Sequence, residues 1–229
     1  MSKTEQEIEA KFYIRDLKKI TTRLHELEAR LIQSRVLETN LRFDLLDGGL
    51  RSEGRVLRLR QDSEARLTYK SANNNDQGVL SRAEIEFTVG DFEKAKQFLH
   101  ALGYQPIFYY EKYRTTYALE SDSSCARKGM LSKIHEQARG LPSCHIMLDE
   151  LPYGNFIEIE GDSVETIGTI SDSLGLKWDT AIAKSYHALF DHLKAETNLL
   201  FRDLLFENFT GIQVDPNQLG VQAADHEAG

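Results

Sequence analysis

Charged residues recur at every second position on stretch after stretch of this chain, and that period of two constrains its fold more than any other feature. Near the N-terminus Glu7, Glu9 and Lys11 alternate with Ile8, Ala10 and Phe12. In an extended strand residues two apart share a face, so the charges point one way and the apolar residues the other. The same parity separates Arg58 and Arg60 from Leu57 and Leu59, Thr68 and Lys70 from Leu67 and Tyr69, and Arg82, Glu84 and Glu86 from Ile85 and Phe87. It separates Lys112 and Arg114 from Tyr113, and Glu158 and Glu160 from Ile157 and Ile159, while Asp149 lies between Leu148 and Glu150.

Alternating segments over Leu41–Leu46, Val56–Arg60, Ala65–Ser71, Lys112–Leu119 and His145–Leu151 read as strands. With the three Glu-x-Glu segments they make about eight, joined by turns at Asp47-Gly48-Gly49 and Asn73–Asp76, and consecutive hairpins imply an antiparallel sheet. Each Glu-x-Glu pair precedes a helical pattern: Asp16–Ile32, with Leu17, Ile20, Leu24, Leu27 and Leu31 at helical spacing, then Asp91–Leu102 before Gly103, then Ser163–Leu174 before Gly175. This is a weak repeat consistent with a symmetric sheet. A last helix over Ala181–Thr197 carries Ile182, Tyr186, Leu189, Phe190 and Leu193. The expected organisation is one domain over residues 1–197, with a polar surface insertion at about 121–143 that holds a short helix over Gly129–Ala138. A tail over 198–229 is expected to dock through Leu204, Leu205, Phe206 and Phe209 and then become disordered.

Two architectures fit the parity. In an open sheet the charged face meets water and its cross-strand ion pairs are worth little. In a closed barrel the helices cover the apolar face and the charges line the interior, where each costs several kcal/mol unless paired or met by a ligand. The separation by strand favours the second: acidic pairs at Glu7/Glu9 and Glu158/Glu160, basic pairs at Arg58/Arg60 and Lys112/Arg114. Carboxylate pairs offer the oxygen ligands that Mg²⁺ or Mn²⁺ takes, and arginine forks with lysine charges suit phosphate oxygens. The fold class expected is therefore α+β, a closed eight-stranded antiparallel β-barrel with helices packed outside, holding a metal end and a phosphate end.

A net charge of −8 argues against coating nucleic acid or an anionic membrane. No run approaches the roughly 18 apolar residues of a spanning helix, and the polar, acidic N-terminus does not resemble an export signal, so the expectation is cytoplasmic. Cys125 and Cys144 lack the spacing of a zinc site.

The opening Glu7-Ile8-Glu9-Ala10-Lys11 is followed in order by Val56-Leu57-Arg58-Leu59-Arg60, Leu67-Thr68-Tyr69-Lys70, Arg82-Ala83-Glu84-Ile85-Glu86, Glu111-Lys112-Tyr113-Arg114, Met147-Leu148-Asp149 and Phe156-Ile157-Glu158-Ile159-Glu160. The ordered set, over roughly Met1–Leu193, resembles the CYTH superfamily, the triphosphate tunnel metalloenzymes, which includes class IV adenylate cyclases, thiamine triphosphatases and inorganic triphosphatases. The resemblance implies an eight-stranded tunnel, Mg²⁺ or Mn²⁺, and a bound triphosphate. It implies metal ligands at Glu7, Glu9, Glu158 and Glu160, and phosphate ligands at Lys11, Arg58, Arg60, Lys70, Lys112 and Arg114, joined by Arg82, Lys184 and Tyr186. Glu84, Glu86 and Asp149 would complete the metal shell or position water, and with Lys11 form the catalytic set. The 121–143 insertion is longer than the loop of compact members, and the tail has no counterpart in the family's motifs.

Two reactions use such a clamp. In hydrolysis a water attacks phosphorus; in cyclisation the ribose 3′-hydroxyl of ATP attacks the α-phosphorus, so adenosine must also be seated. Leu102–Tyr113 and Lys184-Ser185-Tyr186 look like the branch labelled class IV adenylate cyclase, and Phe108, Tyr109 and Tyr110 are the aromatic candidates for a base, with at least two expected in the core. The complete pairs Arg58/Arg60 and Glu158/Glu160 resemble the triphosphatase pattern. A metal-dependent triphosphatase is expected first, a class IV cyclase second, and a non-catalytic polyphosphate- or nucleotide-binding module third. The expected partner is tripolyphosphate, ATP or thiamine triphosphate, with no nucleic acid or membrane, and a homodimer is compatible with all of this.

Overall fold

The structure, a computed structural model, describes residues 5–72, 74–76, 79–119 and 144–225. Nine strands are present among them: β1 Glu5–Ile14, β2 Arg30–Asp44, β3 Val56–Gln61, β4 Ala65–Lys70, β5 Asn74–Asp76, β6 Val79–Val89, β7 Gln105–Leu119, β8 Cys144–Leu151 and β9 Gly154–Gly161. Eight of them pair antiparallel in the order β1-β9-β8-β7-β2-β3-β4-β6, and β6 returns to β1 through Glu5↔Glu84 to Glu9↔Leu80. The sheet is thus a ring, as the alternating charges imply. Strand β5 adds to β6 through Asn74↔Ser81, so the Asn73–Asp76 run, read from sequence as a turn, contributes a short strand.

Among the described residues five helices lie outside the ring: α1 Leu17–Glu26, α2 Gly49–Ser52, α3 Phe92–Ala101, α4 Val164–Ser173 and α5 Tyr186–Thr197. The four long ones start where a short polar side chain accepts from the first free backbone amides: Asp16 from Lys18 and Lys19, Asp91 from Lys94, Ser163 from Thr166 and Ser185 from Ala188. Ile20 and Leu24 of α1 and Ile167 and Ile170 of α4 pack on the outward residues Phe12, Ile146, Ile157 and Ile159. Leu99 of α3 packs on Leu57 and Leu59. A third cluster joins α5, through Leu189, Phe190 and Leu193, to Phe108, Tyr153 and Phe156. The outward face of β6 is covered less, leaving Ile85 and Phe87 each 53% exposed.

Four expectations need correction. The first helix stops at Glu26, not Ile32, because Glu28 takes a left-handed conformation (φ 57°) and the chain reverses into β2 at Arg30. Leu31 continues the helical spacing of Leu27 across that turn by coincidence and lies on the strand, half exposed. Strands β2 and β7 are consequently longer than the alternation indicated, 15 residues each. The last helix begins at Tyr186 rather than Ala181, after a 3₁₀ turn over Trp178–Thr180. The tail does not leave the domain after Phe209. Leu204 is fully buried and its backbone exchanges hydrogen bonds with Tyr109 O (2.9 Å) and Glu111 N (3.0 Å). Ala224 N donates to Tyr13 O at 2.9 Å, and the Asp225 carboxylate accepts from Arg15 and Asp16 amides. Backbone groups along two ring strands are satisfied by this segment, so residues 198–225 are docked throughout. The 121–143 insertion and residues 226–229 lie outside the described residues.

Among the described residues no helix is long and apolar enough to cross a membrane.

Candidate active site

The ring encloses a cavity of about 560 Å³. Its wall is built by parity: residues of each strand that alternate with the outward apolar ones face in. Eight cations line it, Lys11, Arg42, Arg58, Arg60, Lys70, Arg82, Lys112 and Arg114, with six carboxylates, Glu9, Glu84, Glu86, Glu158, Glu160 and Asp162. Tyr110, Ser185, Tyr186 and His187 complete one side.

Two carboxylates buried in the wall organise the cations. Asp149, 0% exposed, accepts from Lys112 Nζ (2.8 Å), from Arg114 Nε (2.6 Å) and Nη2 (2.5 Å), and from the Tyr186 hydroxyl (2.8 Å). Glu38, 1% exposed, sits 3.6 Å from Lys112 and Arg60 and 3.7 Å from Arg114. Burial alone would raise the Glu38 pKa, but Lys112, Arg114 and Arg60 outweigh it and hold the carboxyl down at about 2. Burial likewise favours neutral Glu158, yet Lys11 (3.1 Å) and a short ion pair with Arg114 push it well below the usual carboxylate range. Lys11 shows the converse: burial works against its charge, and Glu158, Glu9 and Asp149 raise its pKa overall. Its Nζ also lies 4.3 Å from the Tyr186 ring centroid, a cation–π contact.

On the opposite side the pairs are looser. Arg60 meets Glu86 at 2.9 Å, Arg58 meets it at 3.6 Å, and the Thr68 hydroxyl donates to it at 2.7 Å. Lys70 meets Glu84 at 3.0 Å and Arg82 meets Glu9 at 3.8 Å. The acids and bases that the sequence assigns to a metal end and a phosphate end are therefore interleaved across the cavity.

Of the residues singled out from sequence, the ring brings Glu9, Lys11, Arg58, Arg60, Lys70, Arg82, Glu84, Glu86, Lys112, Arg114, Glu158, Glu160 and Tyr186 to this cavity. Glu7 is placed opposite Arg82 in the β1–β6 register. Asp149 stands behind the lining, its oxygens engaged by three side chains, which suits anchoring rather than holding metal or water. The Lys184 side chain is exposed just before α5, and only its carbonyl is near the site, 3.5 Å from Lys11 Nζ. Sequence reasoning missed Glu38 and Arg42, although Glu38, Asn40 and Arg42 alternate with Leu37, Leu41 and Phe43 as the other strands do. It also missed Asp162 and His187, whereas Tyr110, an aromatic candidate from the sequence, does line the cavity; nothing local in the sequence marks His187.

Glu9 and Glu160 are directly opposite in the β1–β9 register. Like charges so placed repel, and a cation between them removes the penalty. Among the described residues no three acidic, histidine or cysteine side chains converge to hold an ion by themselves.

Residues 5–168 match the family model for the CYTH domain. The chain belongs to the CYTH family. Members bind triphosphate substrates such as ATP and are in general metal-dependent. No curated protein matches this CYTH chain. Among solved structures it is similar to an adenylate cyclase candidate from Vibrio parahaemolyticus, with 16% identity over 80% of this chain and 97% of that one and a TM-score of 0.62. PH1012 protein from Pyrococcus horikoshii is 22% identical over 79% and 96%, with a TM-score of 0.58. An adenylyl cyclase candidate from Hippeastrum, described as having a dominant triphosphatase activity, is 18% identical over 81% and 95%, with a TM-score of 0.55. These likenesses show the fold.

Proposed function

We propose that this CYTH chain is a divalent-metal-dependent triphosphatase that hydrolyses inorganic triphosphate or an organic triphosphate inside its ring. The observation that carries the reading is the charge balance of the cavity. Among the described residues eight lining cations are matched by six lining carboxylates with Glu38 and Asp149 behind them. Such a wall gains less from a bare polyanion than from a triphosphate accompanied by a divalent ion, which brings both signs and can exchange with the internal pairs. Glu9 and Glu160 would hold the ion, which when bound supplies charge neutralisation at the phosphoryl oxygens. Lys112 and Arg114, fixed by Asp149, hold the phosphate chain in one orientation, while Arg58 and Arg60 trade Glu86 for phosphate oxygens. Glu84 and Glu86 would orient the attacking water once the phosphate chain takes over Lys70, Arg58 and Arg60.

Hydrolysis is favoured over cyclisation by the state of the aromatic rings. Phe108 is covered by the His187 ring, stacked at 3.9 Å and 7°, and is 1% exposed. Tyr110 and Tyr186 are buried, with their hydroxyls on Arg58 and Asp149 respectively. These rings are engaged by the protein itself, and the half-buried Tyr109 is not among the residues that line the cavity. The Hippeastrum neighbour's dominant triphosphatase activity supports the same choice.

The test is to incubate the purified chain with Mg²⁺ or Mn²⁺ and, separately, tripolyphosphate, thiamine triphosphate and ATP, and to separate the products by chromatography. Orthophosphate release is expected. Cyclic AMP with pyrophosphate would overturn the reading, and binding without turnover would make the chain a binding module.

A further inference from the structure

Arg42 stands apart from the other cations of the cavity. Each of the others has a carboxylate within ion-pair distance, from Lys11 with Glu158 at 3.1 Å to Arg82 with Glu9 at 3.8 Å. Among the described residues Arg42 has none: its side chain makes one hydrogen bond, from Nη1 to His187 Nδ1 at 3.2 Å. Burial lowers the pKa of Arg42, Tyr110 works against that shift, and the charged neighbours Arg51, Arg58 and Arg82 add to it. Arg51 is itself satisfied by Asp191 at 2.9 Å. A partly buried guanidinium facing other guanidiniums destabilises the empty fold, so stability does not account for it.

The surroundings of Arg42 are nevertheless built. A guanidinium can only donate, so Nδ1 of His187 accepts from Arg42 and the imidazole proton sits on Nε2, which lies 3.7 Å from the Asp191 carboxylate. The imidazole is clamped flat on Phe108. Burial and the charges of Arg42, Arg51 and Lys194 hold its pKa at about 4 against the pull of Asp191, so the acceptor persists at neutral pH. An imidazole steers a guanidinium without neutralising it, where a carboxylate would do both. The full charge of Arg42 stays available to the cavity it lines.

We propose that Arg42 is a further phosphoryl-binding residue of this cavity and that His187 is its positioning residue. The inference rests on the triphosphate reading above and adds to it a dedicated anion contact that competes with no internal carboxylate. Its oxygen ligands come from the phosphate chain of the substrate, by two parallel N–H donations.

The trait that separates this role from a structural one is opposite movement of affinity and stability. R42Q should bind tripolyphosphate, measured by calorimetry without metal, on the order of 10- to 100-fold more weakly, while the melting temperature of the ligand-free protein holds or rises by a few degrees. R42K, which keeps the charge but loses the fork, should fall between R42Q and the wild type, and H187L should weaken binding by a smaller factor than R42Q. A fall in ligand-free melting temperature in parallel with affinity would make Arg42 structural and overturn the proposal. Unchanged affinity in R42Q, with affinity lost in R58A, would overturn it while leaving the triphosphate reading intact. A wild-type chain that binds neither pyrophosphate nor tripolyphosphate, with or without Mg²⁺, would sink both.

Discussion

On the β7–β8 side of the ring the side chains of Lys112 and Asp149 are 2% and 0% exposed, whereas on the β3–β6 side that of Glu86 is 29%; the arginines of both sides, Arg114, Arg58 and Arg60, are each 13% exposed. Both sides carry the same kinds of charge. Where water is excluded, each interaction is strong and removal of one partner strands the other in a poor dielectric. Where water enters, an ion pair is worth little and exchanges readily for a ligand. The first side fixes the geometry of the clamp, and the second is where a polyanion can replace an internal partner at small cost.

The sharpest way to break this comparison is Asp149→Ala, which removes the acceptor of Lys112, Arg114 and Tyr186. Unfolding in urea should show a loss of about 3–5 kcal/mol; a loss under about 1 kcal/mol would mean that the dry side is not the anchor. Glu9→Gln should lower metal-dependent tripolyphosphate turnover by on the order of 10²- to 10³-fold with the urea midpoint little changed, by analogy with loss of one preorganised electrostatic group. Near-normal rates would remove Glu9 from the metal site. Arg58→Ala, on the wetter side, should weaken tripolyphosphate binding by roughly 10-fold or more. If it instead costs as much stability as Asp149→Ala, the two sides do not differ.

Acid should act on the dry side and its neighbour His187. Both groups have depressed values in the fold, so each contributes stability that is present above its unfolded value and lost as the pH falls. For His187 the loss runs between 6.5 and about 4, and for Glu38 between 4.5 and about 2. Unfolding free energies compared at pH 7, 5 and 3 should decline at each step; a flat profile would show that the Glu38 cluster is not held ionised by its cations. The smallest effect is expected on the outward face of β6. Phe87→Ser should change stability by within about 0.5 kcal/mol, because the ring is already 53% exposed.

Much of the fold was legible because parity is a local property. Strands β1, β3, β4, β6, β8 and β9 could be read from alternation, and the caps Asp16, Asp91 and Ser163 from residue type. Strand β2 was obscured because Leu27 and Leu31 share a helical spacing across a turn set by one left-handed residue, Glu28. With the strand taken to begin at Leu41, Glu38 fell outside it and the inward parity of Arg42 went unread. His187 and the docked tail carry no local signal: their places depend on Phe108, Asp191 and the backbone of β1 and β7, far away in the chain.

By itself the sequence determined that each strand has one charged and one apolar face, since side chains alternate on any extended backbone. Only the tertiary structure decided which face is the inside. Closure of β6 onto β1 turns a set of surfaces, each stable in water, into one cavity wall, and the desolvation this imposes pairs seven of its lining cations with carboxylates while leaving Arg42 to a neutral imidazole.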